Sequence, residues 1–226
     1  MVKIKNVNVC NLQKSVLRSG LPMSTGEPED LKFNERVKIA SKLGSVKTGT
    51  GHDNYLKGII VNFDIKYPEY FSPQLQRYSW IDIVSSQSKM HRLTKMDVDK
   101  SVNKYVDQVV IDNLNEWIEI YNNFPKDKNY ASRDFDEIVY VPRYIQTLPE
   151  GYDRSFTWYT KYEVFMKIIS NCPLGFEKWM NISTNYLQLK TILQQRENHG
   201  LEEDWREFCN FIKKLPMFKE LVFGKA

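Results

Sequence analysis

The sequence predicts an α+β fold in which a small antiparallel or mixed sheet is packed by several helices. Two observations point to the sheet: the opening KIKNVNVCNL is short and β-branched with rough alternation, and LKGIIVNFDIKY places Ile59, Val61, Phe63 and Ile65 two apart. A third points to the helices, because beyond Tyr67 most apolar residues recur three to five apart. A chain of 226 residues with 42 % hydrophobic residues is long enough for one well-cored domain. The expectation is a single domain over 1–226 with an insertion around 124–159.

Taken in order, KIKNVNVCNL reads as a strand, and Ser15 to Leu21 as a helix stopped by Gly20 and Pro22. GLPMSTGEPED is a loop by its Gly and Pro content. From Glu29 to Leu43, Leu31, Phe33, Val37, Ile39, Ala40 and Leu43 approximate a helical face with Gly44 as its stop. SVKTGTGHDN is a loop, and the strand LKGIIVNFDIKY ends at Pro68. SPQLQRYSWIDIV reads as helical, with Pro73 suiting a first turn, and SSQSKMHRL as a loop or the beginning of another helix. Val98, Val102, Val106, Val109, Leu114, Trp117 and Ile120 predict one long amphipathic helix from Asp97 to Tyr121, with Asp97 as N-cap. A polar interruption and the loop YVPRYIQTLPEGYDRS follow, suited to a lid or a subunit contact. Tyr159 to Ile169, Trp179 to Leu193 and Glu202 to Leu215 read as three further helices.

Composition excludes several classes. No apolar run approaches the roughly 18 residues of a membrane helix, and the start MVKIKNVNVCNL has no export pattern, so the expectation is a soluble cytoplasmic protein. Cys10, Cys172 and Cys209 are an odd number without paired spacing, and His52, His91 and His199 stand alone, which argues against disulfides and a histidine-built metal site. The net charge of +4 is spread among acids, fitting a phosphate-bearing small molecule better than a long nucleic-acid backbone. Motifs for a nucleophilic serine, a phosphate loop or a Rossmann dinucleotide site do not occur.

Several polar residues are left to carry function. His52, beside Asp53 and Asn54, is either a turn cap or an imidazole offered to an anionic or heteroaromatic ligand. Gln74, Gln76 and Arg77 follow the second strand as surface groups or as one face near its end. Ser85, Ser86, Ser88, Lys89, His91 and Arg92 supply hydroxyls and cations suited to phosphate. Arg196 closes the run Tyr186 to Leu193, either as a cation favourable to the helix dipole or as a functional group.

Together these segments resemble the flavin-dependent thymidylate synthases. The resemblance rests on Gly51-His52, Ile59, Phe63, Pro68, Gln74 and Arg77 in one run, and on Pro173-Leu174, Asn185 twelve residues beyond the proline, and Arg196 eleven beyond the asparagine. It covers roughly Ser15 to Leu93 and Cys172 to Trp205. It implies a homotetramer that binds FAD between subunits, uses NADPH and methylenetetrahydrofolate as co-substrates, and transfers a one-carbon unit to C5 of a pyrimidine deoxynucleotide, dUMP to dTMP being the reference reaction. By resemblance Arg196 is the catalytic residue, stabilising charge on the pyrimidine, an effect worth roughly 3–4 kcal/mol when preorganised. His52, Asn54, Arg77, Tyr78, Ser79, Asn185 and Thr191 would approach the flavin. Gln74, Arg77, Ser85, Ser86, Gln87, Ser88, Lys89, Lys178 and Arg196 would contact the nucleotide. The chain departs from the family motif after Arg77: histidine is replaced by Tyr78, and later positions fall on Asp82, Val84-Ser85, Gln87 and Lys89-Met90. The family's second phosphate-side arginine falls on Trp179, next to Lys178. These departures leave a second reading, a non-catalytic nucleotide- or flavin-binding member of the same fold. A third, nucleic-acid binding, rests only on the mild basicity and the aromatic content.

Overall fold

The computed structural model of the protein describes residues 2–27, 32–133, 138–141 and 157–224. In chain order its elements are β1 (Lys3–Cys10), α1 (Leu12–Arg18), α2 (Phe33–Gly44), β2 (Ile60–Pro68), α3 (Ser72–Leu75), β3 (Asp82–Ser86), α4 (Lys89–Arg92) and α5 (Gln108–Asn122). There follow β4 (Tyr130–Ser132), β5 (Val139–Val141), β6 (Tyr159–Thr160), α6 (Lys161–Ser170), β7 (Glu177–Asn185), α7 (Tyr186–Arg196), α8 (Glu202–Lys214) and α9 (Phe218–Phe223). The class is α+β, as the sequence predicts. A four-stranded sheet has the order β1-β2-β7-β3 and a three-stranded sheet the order β5-β4-β6. The pairs β1–β2, β3–β7, β4–β5 and β4–β6 are antiparallel. The chain forms two compact units, Met1–Ser86 with Lys178–Ala226, and Gln87–Glu177.

In the first unit, β2 sends Val61, Phe63, Ile65 and Tyr67 into the core, the alternation a half-buried strand requires. Met180 and Ile182 of β7 join the same cluster, with Leu189 and Ile192 of α7 and Trp205, Phe208 and Ile212 of α8. Phe71 meets Trp205 at a ring-centroid separation of 4.6 Å. Helix α8 is specified twice over: Trp205, Phe208, Cys209 and Ile212 form one buried stripe, while Glu202, Glu203 and Asp204 open it and Lys213 and Lys214 close it, matching the helix dipole. The β1–β2 register slips by one residue between Lys5 and Asn8, where Asn6 adopts a φ of 51° and donates to Asp64 at 2.6 Å.

The second unit has its own core, in which Leu114, Trp117 and Ile120 of α5 cluster with Val164 and Ile168 of α6. A reciprocal capping box between Thr160 and Glu163 starts α6. Arg133 stacks 4.4 Å above the Trp117 ring and pairs with Glu116 and Asn113.

Four expected elements are corrected. The helix expected over Trp179 to Leu193 is divided: β7 precedes α7, and the burial of Met180, Ile182 and Thr184 shows the period of two. The helix expected over SPQLQRYSWIDIV stops after the four residues of α3, and Asp82–Ser86 pairs as an edge strand instead. The long helix from Asp97 begins only at Gln108, because the Asp97 carboxylate closes a local turn on the Lys100 N–H at 3.2 Å and Nζ at 2.6 Å. Helix α1 starts earlier than expected, at Leu12. The start of the helix expected from Glu29, and most of the loop expected over 140–155, lie outside the described residues.

Candidate functional site

Helix α7 is buried on almost every side, and in its middle stands a lysine. Lys190 is fully buried, and its Nζ donates to Gly44 O at 2.8 Å, Val46 O at 2.6 Å and Asp53 Oδ2 at 2.7 Å. All three ammonium protons are thereby satisfied, the condition under which a buried charge is tolerated. The contacts tie the end of α2 and the Gly-His turn to α7. Gly49 and Gly51 in this loop have φ of 94° and 84°, a region open to glycine and strained for other residues. Tyr55 braces the turn from the other side, its hydroxyl donating to Ala40 O at 2.7 Å. Burial, and then the Asp53 charge, raise the Tyr55 pKa, so it stays a neutral donor.

Between this loop and α7 lies a cleft of about 370 Å³. Asn54, Asn185 and Thr191, three of the residues expected to meet the cofactor, line it together, with Trp80 and Gln188. Asn185 caps α7 by accepting the Gln188 N–H at 2.9 Å, and the Gln188 side-chain oxygen accepts the Trp80 N–H at 3.3 Å. With both amide oxygens engaged, the amide nitrogens are left as donors. Trp80 is 57 % exposed and offers an aromatic surface at the same place. Amide donors beside an indole fit a flat heteroaromatic ring with acceptor atoms on its edge. His52 lines a larger neighbouring cavity of about 920 Å³ that shares Gly51 and Asn54 with the cleft.

The other end of α7, eleven residues and roughly 16 Å away by helix rise, carries Arg196. Its Nε donates to the Tyr78 hydroxyl at 2.7 Å, and the guanidinium lies 4.8 Å from the Trp205 ring and 5.6 Å from the Tyr78 ring. The Tyr78 hydroxyl donates to Gln195 Oε1 at 3.1 Å, and the Trp205 indole N–H donates to Gln74 Oε1 at 3.0 Å. Gln74 is thus joined to Arg196 through buried Trp205, and Tyr78 is bonded to Arg196 directly. The arginine is clamped by rings and a hydroxyl, and among the described residues no carboxylate pairs with it. His199 packs 5.9 Å from Trp205, and its pKa is lowered by burial and by the Arg196 charge.

The remaining expected residues are more scattered. Arg77 and Ser79 are exposed beside Tyr78, and Ser85 and Ser86 are exposed on edge strand β3. Gln87, Ser88 and Lys89 belong to the second unit, where the Ser88 hydroxyl accepts the His91 N–H at 3.4 Å and caps α4. Lys178 forms an ion pair with Glu69 at 3.0 Å and lies 5.9 Å from the Tyr67 ring. Burial opposes its charge, but the Glu69 hydrogen bond and the neighbouring Tyr67 and Glu69 charges outweigh this and leave its pKa raised. Sequence reasoning missed Trp80, Gln188, Lys190 and Trp205. A lysine inside the apolar run LQLKTIL was a usable signal for Lys190. The other three look like ordinary helix residues.

The sequence matches no protein-family model and no curated protein. Among solved structures, the chain is similar to the flavin-dependent thymidylate synthase ThyX from Helicobacter pylori complexed with FAD and dUMP, with a TM-score of 0.60 and 11 % identity over 98 % of this chain and 97 % of that one. A second structure, Thymidylate Synthase X from Helicobacter pylori with FAD and dUMP, gives a TM-score of 0.55 and 11 % identity over 98 % and 96 %. The two likenesses run nearly the full length of both chains, and the fold is therefore that of the flavin-dependent thymidylate synthases.

Proposed function

We propose that the protein is a flavin-dependent enzyme that transfers a one-carbon unit to C5 of a pyrimidine deoxynucleotide, with dUMP to dTMP as the reference reaction. The observation that carries this reading is the clamped Arg196, bonded directly to Tyr78 and joined to Gln74 through Trp205. In the fold's structural neighbours FAD and dUMP are bound. Here Asn54, Asn185, Thr191 and Trp80 would hold the flavin, with His52 and Arg77 beside it. Bound FAD supplies the reducing equivalents, drawn from NADPH, and methylenetetrahydrofolate supplies the carbon.

The chain's own residues have distinct tasks in this reading. Arg196 places a fixed positive charge against the pyrimidine as N3 ionises, making C5 more nucleophilic, and its apolar clamp strengthens the field. Gln74, its oxygen held by Trp205, keeps its amide N–H group as a donor to the base. Arg77, Ser85 and Ser86 contribute cation and hydroxyls to the phosphate side. Because Asn185 and Arg196 sit at opposite ends of α7, sharing the flavin between copies of a homotetramer would let each end serve a complete site. The whole chain is read as one domain that carries an insertion around 124–159.

One observation favours the second reading, a nucleotide- or flavin-binding member without turnover. Lys178, the cation of β7 expected on the phosphate side, already has Glu69 as counter-ion. Purification and a spectrum separate the two readings. The enzyme should be yellow, and dUMP should accelerate bleaching of its flavin absorbance by NADPH, with dTMP formed when methylenetetrahydrofolate is added. A yellow protein that forms no dTMP supports the second reading. A colourless protein that takes up neither FAD nor dUMP in titration overturns both.

A further inference from the structure

The 920 Å³ cavity beside the flavin cleft has a charge pattern of its own. It is formed by α1, α2, the turn after α1 and the Gly-His loop. Lys14, Arg18 and Arg36 line it, and none of its described lining residues is an aspartate or glutamate. The Arg36 Nε is buried and has no hydrogen-bond partner. The guanidinium is held against Gly20: a Cβ there would fall 2.6 Å from Nη1 and 2.9 Å from Cδ. The glycine therefore makes room for the arginine. Elsewhere the wall is apolar, with Leu21, Met23, Ile39 and Leu43. Met23 is 85 % exposed and stands at the rim of this wall.

A buried, unsatisfied guanidinium N–H costs free energy unless a ligand or ion completes it. A concave site of this size, mostly apolar with a few convergent polar groups, is the form small-molecule sites take. We infer that this cavity binds a small organic anion, with its carboxylate or phosphate on Arg36 and Lys14 and its apolar body against Leu21, Met23 and Ile39. The inference is independent of the flavin reading, since it stands on groups that line this cavity and not the cleft. Carboxylate and phosphate both accept charge-assisted hydrogen bonds from a guanidinium, so the site's chemistry is shared between them.

The test is calorimetric titration of the purified protein with 1-naphthoate, 1-naphthyl phosphate, inorganic phosphate and uncharged naphthalene methanol. One equivalent of naphthoate or naphthyl phosphate should bind, the tighter of the two naming the head group, and added salt should weaken it. The uncharged compound and inorganic phosphate should bind at least tenfold more weakly, since each lacks half of the ligand. R36M keeps the aliphatic stem and should weaken the preferred probe at least tenfold. G20A keeps the charge but displaces the guanidinium, and should weaken it severalfold, so the inference stays testable if R36M does not fold. Failure of both anionic probes to bind at millimolar concentration, or unchanged affinity in the folded variants, overturns it.

Discussion

Lys190 and Asp53 form a fully buried ion pair, Nζ to Oδ2 2.7 Å, that joins the middle of α7 to the loop next to His52. The pair spans 137 residues of sequence and places the Gly-His turn beside Asn185 and Thr191. With the Lys190 bonds to Gly44 O and Val46 O and the Thr48–Gln194 bond, it ties the loop to α7.

Removing one partner should therefore be severe. K190M leaves the Asp53 carboxylate and the carbonyls of Gly44 and Val46 without their donor, and a broken buried pair costs about 3–5 kcal/mol. Urea unfolding should show a loss of that size for K190M and a smaller one for D53N, whose neutral amide still accepts. In the double variant the loss should be less than the sum of the two, because the residues share one interaction.

The clamp on Arg196 predicts a graded response in the proposed reaction. Replacing Arg196 with lysine removes the planar guanidinium that stacks on Trp205, and turnover should fall by about a hundredfold or more. Y78F removes the hydrogen bond to Nε, along with the one to Gln195 Oε1, and should lower kcat/KM by roughly tenfold, since a hydrogen bond to a charged group contributes about 1.5 kcal/mol. Flavin absorbance should be unchanged in the lysine variant, as Arg196 does not line the cleft.

Trp80 gives the flavin reading a binding test that does not need turnover. Losing a stacked aromatic costs about 0.5–1.5 kcal/mol beyond its area. W80A should therefore bind FAD about three- to tenfold more weakly by fluorescence quenching, while its unfolding midpoint stays near that of the native protein because the indole is largely exposed.

The pH response of His199 follows from its lowered pKa, caused by burial and then by the Arg196 charge. The unfolded chain, with an ordinary value near 6.5, takes up a proton at higher pH than the folded one. The His199 contribution is therefore complete above about pH 6.5, and stability is lost as pH falls from there through the folded-state value. H199Q should show a smaller drop in urea midpoint between pH 7.5 and pH 5.5 than the native protein.

Burial pushes the Cys209 thiol up to about 11, with Lys213 lowering it slightly and Glu197 raising it. Cys10 and Cys172 are only partly buried. At pH 8, labelling with a disulfide reagent should modify those two first. Cys209 should react only once the protein is unfolded in denaturant.

The sheet strands were legible where one face alternates cleanly, as in β2, and misread where a strand runs directly into a helix. Met180, Ile182 and Thr184 alternate, but Trp179, Leu187 and Leu189 also fit a helical period, so the junction at Asn185 is hidden in a continuous apolar pattern. The Asn185 side chain marks it only as a cap, through a hydrogen bond that periodicity does not reveal. Asp97 was misleading for the related reason that the same carboxylate can cap a helix or close a local turn. Asn54, Asn185 and Thr191, chosen by resemblance, do meet in one cleft, and Gln74, Tyr78 and Arg196 meet in one network.

By itself the sequence determined the α+β class, the buried alternation of β2 and the amphipathic stripe of α8. Those are local properties, set by the spacing of apolar side chains and by turn residues. Tertiary structure alone decided that Lys190 is a buried tie and not a surface charge, that Trp205 bridges Gln74 to Arg196, and that Trp80 stands exposed over a cleft. The reason is that the free energy of a lysine or a tryptophan depends on the groups brought against it from more than a hundred residues away, and residue spacing carries no record of those partners.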